Sequence, residues 1–248
     1  MTTPSKDTVE WCKRLRLGSN FVEAVTAKKS KERDYLIELL EGEINRRDAL
    51  AIERNIKNAN FPELKTLADF DFTHVEMPTS VARPFYTDAV FVQSKYSIFM
   101  YGRPGTGKTH LAIALGIEAC RHFHKVAFYR LPSLIAQLRE AKSTNDARFY
   151  KRLSKTNLII LDEFGYPPRE DDTIELLFDF ISNYCYQQKS LIMTSNRTFK
   201  EWLTDFPNPR AEKMAQATLD RIAQNTLLFN FTGESRRGNL TKSSEIAT

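Results

Sequence analysis

The chain has 248 residues, of which 42% are hydrophobic and 27% charged, a composition typical of a soluble globular protein. No apolar run approaches the roughly 20 residues of a membrane helix, and the first residues, MTTPSKDTVEW, lack the apolar stretch of a signal peptide. The formal net charge of +5 favours either a polyanionic partner or a solvated basic surface.

Three cysteines, Cys12, Cys120 and Cys185, are scattered along the chain without a C-x-x-C or other metal-binding spacing. We therefore expect reduced thiols and a cytoplasmic protein. His122 and His124 form an H-x-H pair, which alone is not sufficient to predict a metal site, and we assign none there.

Residues 1–60 are predicted to form a small, all-helical N-terminal domain. Apolar residues recur at helical spacing, as in Leu36 and Leu40, and charges of both signs cover the remaining faces. Ser30 is placed to cap the longest helix of this region. That helix is predicted to end before Pro62, because a proline disfavours the helical conformation of the residue that precedes it.

Residues 61–94 are interpreted as a linker that leads into a core at 95–233, and residues 234–248 as a polar tail. In the core, short apolar runs alternate with helical segments. Such runs suit strands that are buried on both faces, which predicts an α/β fold with a parallel sheet. The five predicted strands are YSIFMYG (96–102), KVAFYRL (125–131), NLIILDE (157–163), KSLIMTSN (189–196) and TLLFNFTG (226–233).

A phosphate-binding loop follows the first predicted strand. The pattern G-x-x-x-x-G-K-[ST] lies here between a strand and a helix, which is the context that such a loop requires. Its glycines permit a tight turn in which backbone N–H groups converge on phosphates. Lys108 is predicted to reach the β- and γ-phosphates of ATP, and Thr109 to bind Mg²⁺. The predicted nucleotide-binding residues are Gly102, Arg103, Pro104, Gly105, Thr106, Gly107, Lys108, Thr109 and His110.

Polar side chains end two further predicted strands. Asp162 and Glu163 end the third strand, and Asn196 ends the fourth. In a parallel sheet these ends lie at the same edge as the phosphate loop. We expect Asp162 to take part in binding Mg²⁺, Glu163 to activate the attacking water, and Asn196 to contact the γ-phosphate. The alternative for each residue is a solvated strand end.

Arg221 lies at the end of a predicted helix, just before the last strand. We predict that it is an arginine finger, which supplies positive charge to the reacting phosphate of a neighbouring subunit and so makes hydrolysis depend on assembly. The alternative is a surface arginine that pairs with Asp220. Arg210, Arg236 and Arg237 are further candidates for the same role.

Six segments together resemble the IstB-like ATP-binding proteins, the helper ATPases of a class of bacterial insertion sequences. These proteins are similar to helicase loaders of the DnaC and DnaI type. The resemblance covers nearly the whole chain, and the motifs keep their order and spacing. The segments are FPELKTLADFDF (61–72), GRPGTGKTHLAIALGIEAC (102–120), LIILDEFGYPP (158–168), TSNRTFKEW (194–202), LDRI (219–222) and GES (233–235).

The resemblance implies an AAA+ ATPase domain with a five-stranded parallel sheet in the order 5-1-4-3-2, and a helical N-terminal domain that contacts DNA or the transposase. It also implies ATP-dependent assembly on duplex DNA, as dimers that form a larger ring or helix, with capture of target DNA and stimulation of a partner transposase. Carried onto this chain, the roles given above fall on Lys108, Thr109, Asp162, Glu163, Asn196 and Arg221.

Two features depart from the family pattern. Arg103 stands where the family usually has an uncharged loop residue, which we expect to affect contacts between subunits rather than phosphate binding. The chain also stops without a full helical lid domain. The usual lid arginine therefore has no assigned counterpart, and Arg236 or Arg237 is a candidate to replace it in part.

In the wider group of related ATPases, an extra helix after the second strand faces DNA, and residues 131–157 match it here. Contacts of basic side chains with phosphates give an affinity that depends steeply on salt and carries little sequence information. The alternative is a solvated basic helix face. The candidate DNA-binding residues are Arg139, Lys142, Arg148, Lys151, Arg152 and Lys155.

Three functions fit a phosphate loop of this kind: a transposase helper ATPase, a helicase loader and a small-molecule kinase. The acidic pair, Asn196 and Arg221 suit hydrolysis in an oligomer and disfavour a kinase. The ATPase core does not separate the first two. A loader often carries a helicase-binding or zinc-binding module at its N-terminus, and residues 1–60 contain no cysteine cluster, which favours the helper ATPase.

Overall fold

The structure is a computed structural model in which the chain divides into two compact units, residues 1–54 and 55–248. The predicted features at Arg236 and Arg237 and the thiol of Cys185 lie outside what it describes. The described residues are 6–165, 170–203, 206 and 208–235, without the side chains of Lys6, Cys185 and Arg221.

Three helices begin in the first unit: α1 (Lys6–Leu15), α2 (Ser19–Thr26) and α3 (Lys31–Asn58). Ser30 caps α3 as predicted, because its Oγ accepts a hydrogen bond from the Arg33 N–H at 3.2 Å. Cys12, Val25 and Leu40 form a small buried core. The Arg33 side chain closes this core, since its Nε donates to the Val25 carbonyl at 2.9 Å.

The second unit is built on one sheet with the strand order β1-β6-β2-β5-β4-β3. The last five strands in this order run parallel, and β1 pairs antiparallel with β6. The strands are β1 (Val75–Glu76), β2 (Ser97–Gly102), β3 (Val126–Arg130), β4 (Leu158–Asp162), β5 (Ser190–Ser195) and β6 (Thr226–Phe231).

All five predicted strands are present, and their order is the predicted 5-1-4-3-2 when they are counted without β1. The structure adds β1, a two-residue strand that the sequence analysis did not predict. A two-residue strand is too short to show an alternating pattern, and β1 exists because the edge of β6 offers it unpaired backbone groups.

Helices cover both faces of the sheet. Alternate strand residues point to opposite faces, so Ile98 and Met100 join the buried cluster beneath α6, whereas Phe99 joins the cluster beneath α7 to α11. This is a three-layer α/β arrangement. The helices of this unit are α4 (Pro84–Thr87), α5 (Val90–Gln93), α6 (Lys108–Arg121), α7 (Leu131–Thr144), α8 (Ala147–Ser154), α9 (Asp171–Tyr186), α10 (Phe199–Leu203) and α11 (Pro209–Ala223).

The segment interpreted as a linker packs into the α6 face of the core. Phe70, Tyr86 and Phe91 are buried in the same cluster as α6. Just before this segment, the Ala59 carbonyl accepts a hydrogen bond from the Phe128 N–H at 2.8 Å. The division of the chain into domains 1–60, 61–94, 95–233 and 234–248 stays a prediction.

Candidate functional site

Three glycines give the phosphate loop its shape. Gly102, Gly105 and Gly107 have φ angles of +142°, +80° and +101°, which residues with a side chain rarely adopt. A Cβ atom on Gly102 would lie 2.3 Å from the Phe231 carbonyl oxygen, and one on Gly105 would lie 2.2 Å from Ser235 Oγ. The loop therefore packs closely against the end of β6 and the residues that follow it. A side chain at Gly102 or Gly105 would overlap these neighbours.

Lys108 is the first residue of α6, and its side chain bends back over the loop. Its Nζ donates hydrogen bonds of 2.8 Å to the carbonyls of Gly102 and Arg103. The Arg103 carbonyl also accepts a hydrogen bond from Thr106 Oγ1 at 2.9 Å. Both Lys108 and Thr106 are buried. The ammonium is thus held at the centre of the loop, beside the N-terminal end of α6, where an anion is favoured.

Asp162 joins the phosphate loop to the strand β5. Its Oδ1 accepts a hydrogen bond of 2.8 Å from Thr109 Oγ1 and one of 2.5 Å from Thr194 Oγ1. The carboxylate is buried, and both of these donors are neutral hydroxyls. A buried carboxylate that is stabilised by hydroxyls fits a divalent cation, whose charge offsets the cost of burial. The Thr109 and Asp162 oxygens are the ligand type that Mg²⁺ prefers.

Glu163 has a left-handed backbone with φ of +62°. This conformation costs a residue with a side chain about 1–3 kcal/mol. Thr194 stabilises it, because Thr194 Oγ1 accepts from the Glu163 N–H at 3.2 Å and the Thr194 carbonyl accepts from the Phe164 N–H at 2.8 Å. The turn leaves the Glu163 side chain exposed, while Phe164 is fully buried against Trp202.

One cavity of about 630 Å³ brings most of the predicted site residues together. It is open to the loop, to the acidic pair and to the end of β5, so Lys108, Asp162 and Asn196 face one volume. This size suits a nucleotide. The predicted residues that line it are Pro104, Gly105, Gly107, Lys108, Thr109, His110, Asp162, Glu163 and Asn196.

The cavity also has walls that the sequence analysis did not assign to the site. Arg130, at the end of β3, lines it and lies in register with Asp162. Pro62, Glu63, Lys65 and Phe70 line it as well. The sequence signal that could have predicted Arg130 as a site residue was its position at the end of a strand, which it shares with Asp162. The other four lie in a segment interpreted as a linker.

His110 anchors this former linker segment to the helix α6. Its Nε2 lies 3.3 Å from the Thr66 carbonyl, and its ring centroid is 5.4 Å from that of Phe70. His110 thus reaches the nucleotide cavity as predicted, and it also fixes the segment that forms one wall.

The predicted arginines fall in different places. Arg221 lies in α11 as expected from the sequence, but its side chain is outside the described residues. Arg210, at the start of the same helix, is paired with Glu175 at 2.5 Å. Arg103 belongs to the loop, where its carbonyl accepts the Lys108 hydrogen bond.

The predicted DNA-binding stretch forms two helices, α7 and α8, with a turn at Asn145 and Asp146. Arg139 is engaged by Glu170 and Thr173, so its charge is already matched. Arg152 lies over the Phe149 ring, 5.3 Å from its centroid.

Four other basic residues of this stretch leave their charges at the surface. Lys142 and Lys151 line a groove of about 620 Å³ between α7, α8 and α9. Arg148 and Lys155 are exposed. Binding of DNA by the six predicted residues stays a prediction.

A parallel sheet of this order, with a phosphate loop between β2 and α6 and an acidic pair after β4, defines an ATP-binding protein of the P-loop AAA+ class. Within the described ranges, no helix combines the length and the apolar character needed to cross a membrane. The chain belongs to the IstB-like ATP-binding protein family, whose sequence profile matches residues 16–244.

Relatives of the chain are encoded by insertion sequences. It is 36% identical over 220 residues to the ATP-binding protein of insertion sequence IS21 from Pseudomonas aeruginosa, covering 88% of this chain and 81% of that protein. It is 33% identical over 238 residues to the ATP-binding protein of insertion sequence IS5376 from Geobacillus stearothermophilus, covering 92% of each. The predicted family resemblance is thereby confirmed.

Solved structures share the fold of much of the chain. The crystal structure of DnaI has a TM-score of 0.53 at 17% identity, covering 70% of this chain and 90% of that one. AMPPCP-bound DnaA from Aquifex aeolicus has a TM-score of 0.51 at 19% identity, covering 75% of this chain and 56% of that one. At these identities the likeness concerns the fold alone.

Proposed function

We propose that this protein is a Mg²⁺-dependent ATPase that assembles with copies of itself on duplex DNA, captures target DNA and stimulates a partner transposase. The observation that carries the proposal is the hydrogen-bonded group of Thr109, Asp162 and Thr194, which joins the phosphate loop to the acidic strand end in one cavity. Membership of a family whose relatives are ATP-binding proteins of insertion sequences supports the transposition context.

The predicted site residues that line the cavity have the following chemical roles in this proposal. Lys108 and the loop N–H groups hold the β- and γ-phosphates, and Thr109 and Asp162 hold Mg²⁺, which neutralises charge on the phosphates when bound. Glu163 orients the attacking water and accepts its proton. Asn196, at the end of β5, contacts the γ-phosphate.

Thr194 has a positioning role, because its hydroxyl donates to Asp162 and accepts from the Glu163 N–H. It fixes the metal-binding carboxylate and the water-activating carboxylate relative to one another. Pro62 and Phe70, which line the same cavity, offer apolar surface that fits a purine base.

A helicase loader is the alternative that the sequence analysis left open. The fold similarity to DnaI and to the DnaC helicase loader, at a TM-score of 0.50 and 23% identity, is compatible with it. The relatives from insertion sequences are more similar in sequence and cover more of the chain. The transposase helper therefore remains the proposal, and stimulation of a transposase encoded beside this gene distinguishes the two.

The assembly proposal has a direct test. We expect the protein to form large, DNA-bound complexes when duplex DNA, Mg²⁺ and a slowly hydrolysed ATP analogue are supplied together, and smaller species when the nucleotide is omitted. Analytical ultracentrifugation and electron microscopy measure both. The affinity should fall steeply as salt increases, because phosphate contacts release counterions. A monomer that ignores duplex DNA under all conditions would refute the proposal.

Replacing Arg221 with alanine is expected to leave ATP binding by the monomer unchanged and to lower turnover in the assembled form about 100-fold. The reason is that one donor which stabilises transition-state charge typically contributes this much. Arg210→Ala is the matched control, since Arg210 lies on the same helix and its guanidinium is paired with Glu175. Equal turnover in the Arg221 variant and the wild type would exclude the finger.

A further inference from the structure

Four neighbouring strands begin next to one another at the edge of the sheet opposite the nucleotide cavity. β3 pairs with β4, and β4 with β5, from the first residue of each strand. The residues immediately before these strands therefore lie side by side across the sheet. They are Lys125, Asn157 and Lys189. The Lys125 N–H donates to Asn157 Oδ1 at 2.9 Å, and the Lys125 carbonyl accepts from the Asn157 N–H at 2.8 Å. Lys95 lies in the turn before β2, the strand next to β5, and its charge acts on Lys189.

Three lysines thus form a line across the sheet edge, which we call the lysine row: Lys95, Lys189 and Lys125. Adjacent strands lie about 4.8 Å apart, so the backbones of Lys189 and Lys125, two strands apart, are separated by about 10 Å. Asn157 is the one uncharged member of this line, and no carboxylate belongs to it. The row is a set of like charges along one edge of the sheet.

The lysine row is held in place, and its charges act on one another. Lys189 Nζ donates to the carbonyls of Ser154 at 2.8 Å and Thr156 at 3.0 Å. Burial, followed by the charges of Lys95 and Lys125, lowers the pKa of Lys189. The row therefore carries mutual repulsion that a bound polyanion would relieve.

Two histidines, His122 and His124, adjoin the row at Lys95. Burial, followed by the charges of His122 and Lys95, lowers the pKa of His124. His124 Nε2 is buried without a hydrogen-bond partner among the described residues. The local field at this end of the row is thus also positive.

The middle of the row, at Lys189, meets the stretch already predicted to bind DNA. Lys155 lies at the end of α8, between the two carbonyls that Lys189 binds. The exposed charge of Lys155 is therefore continuous with the row. A run of lysines that is continuous with the predicted DNA-binding stretch matches the uniformly negative phosphate backbone of a nucleic acid better than a protein surface, which carries charges of both signs.

We infer that the lysine row is a second binding surface for the phosphate backbone of duplex DNA, continuous with α8 and separate from the nucleotide cavity. The inference rests on the proposed function, because it extends the DNA-binding surface of the assembled protein. The row lies at the N-terminal ends of the strands, whereas ATP is proposed to bind at their C-terminal ends. DNA contact here is consequently separable from ATP chemistry.

The test replaces Lys95 and Lys125 together with glutamine and leaves Lys189, with its structural hydrogen bonds, unchanged. We expect the slope of log affinity against log salt for a short mixed-sequence duplex to fall by about 2, since each lysine–phosphate contact contributes about 1. Affinity at moderate salt should fall roughly tenfold. ATP binding and turnover without DNA should stay at the wild-type level.

Two controls keep the test specific. Lys200→Gln with Lys213→Gln makes the same change in net charge at two exposed positions of the second unit, on α10 and α11, and should leave the salt slope unchanged. Lys95→Arg with Lys125→Arg keeps the charge and should keep the slope.

Two results would overturn the inference. One is an unchanged salt slope in the glutamine variant while the wild type binds DNA. The other is a change in oligomer size without DNA, which would assign the row to a contact between copies of the chain. If the wild type itself did not bind duplex DNA, the proposed function would fail first, so the two failures are distinguishable.

Discussion

Replacing Glu163 with glutamine is expected to lower ATP turnover about 1,000-fold while leaving ATP affinity unchanged, because a general base contributes an effect of this size. Glutamine has the same shape and should keep the left-handed turn that the two Thr194 hydrogen bonds stabilise. It cannot accept the proton of the attacking water. Single-turnover release of phosphate measures the chemistry, and equilibrium binding of a fluorescent ATP analogue measures affinity.

The cavity itself supplies a matched control for this variant. Glu63 is a second carboxylate that lines the cavity, and it is paired with Lys65 at 2.9 Å. Glu63→Gln should leave turnover near the wild-type rate. If both glutamine variants lost turnover equally, loss of negative charge rather than loss of a base would be the cause. The Glu163 variant should also stay on DNA with ATP, because assembly is proposed to need bound ATP and this variant does not consume it.

Removing the Lys108 side chain by mutation to alanine is expected to weaken ATP binding about 1,000-fold, or about 4 kcal/mol, since hydrogen bonds to a charged group contribute about 1.5–3 kcal/mol each and at least two are lost. Assembly on DNA should be lost at the same ATP concentrations. Isothermal titration with ATP and Mg²⁺ measures the affinity.

Loss of the Lys108 side chain also affects the phosphate loop itself. Lys108 Nζ also donates hydrogen bonds to the Gly102 and Arg103 carbonyls, so its removal disturbs the conformation of the loop as well. The thermal unfolding midpoint of the nucleotide-free variant reports this effect separately. Lys65→Ala, which removes another cation that lines the cavity, is the control and should keep most of the affinity. Nucleotide-dependent assembly of the Lys108 variant would refute the role of this lysine.

Local sequence patterns predicted the parts of the fold that depend on local chemistry. The spacing of Gly102 and Gly107 was sufficient to predict the phosphate loop, because a side chain there would overlap β6 or adopt an unfavourable φ angle. The five buried strands were predicted from continuous apolar runs, since a sheet covered on both faces needs apolar residues at consecutive positions. The strand order came with the family resemblance.

The features that the sequence did not reveal depend on contacts between distant residues. β1 forms only because β6 offers it an edge, and Arg130 joins the cavity only because β3 and β4 are in register at Asp162. The segment around Phe70 has no regular pattern, and its burial depends on the side chain of His110. Likewise, Lys125 and Lys189 are far apart in sequence, and only the register of the sheet places them at one edge.

The position of β6 between β1 and β2 has a consequence for synthesis of the chain. The phosphate loop is pressed against Phe231 and Ser235, which leave the ribosome long after the loop itself. A nascent chain that ends before β6 has an unpaired β2 edge and lacks the neighbour that shapes Gly102, so we expect it neither to hold ATP nor to resist aggregation. We therefore expect competence to bind nucleotide to be acquired only after β6 has been synthesised, which would keep shorter nascent chains out of any ATP-dependent assembly.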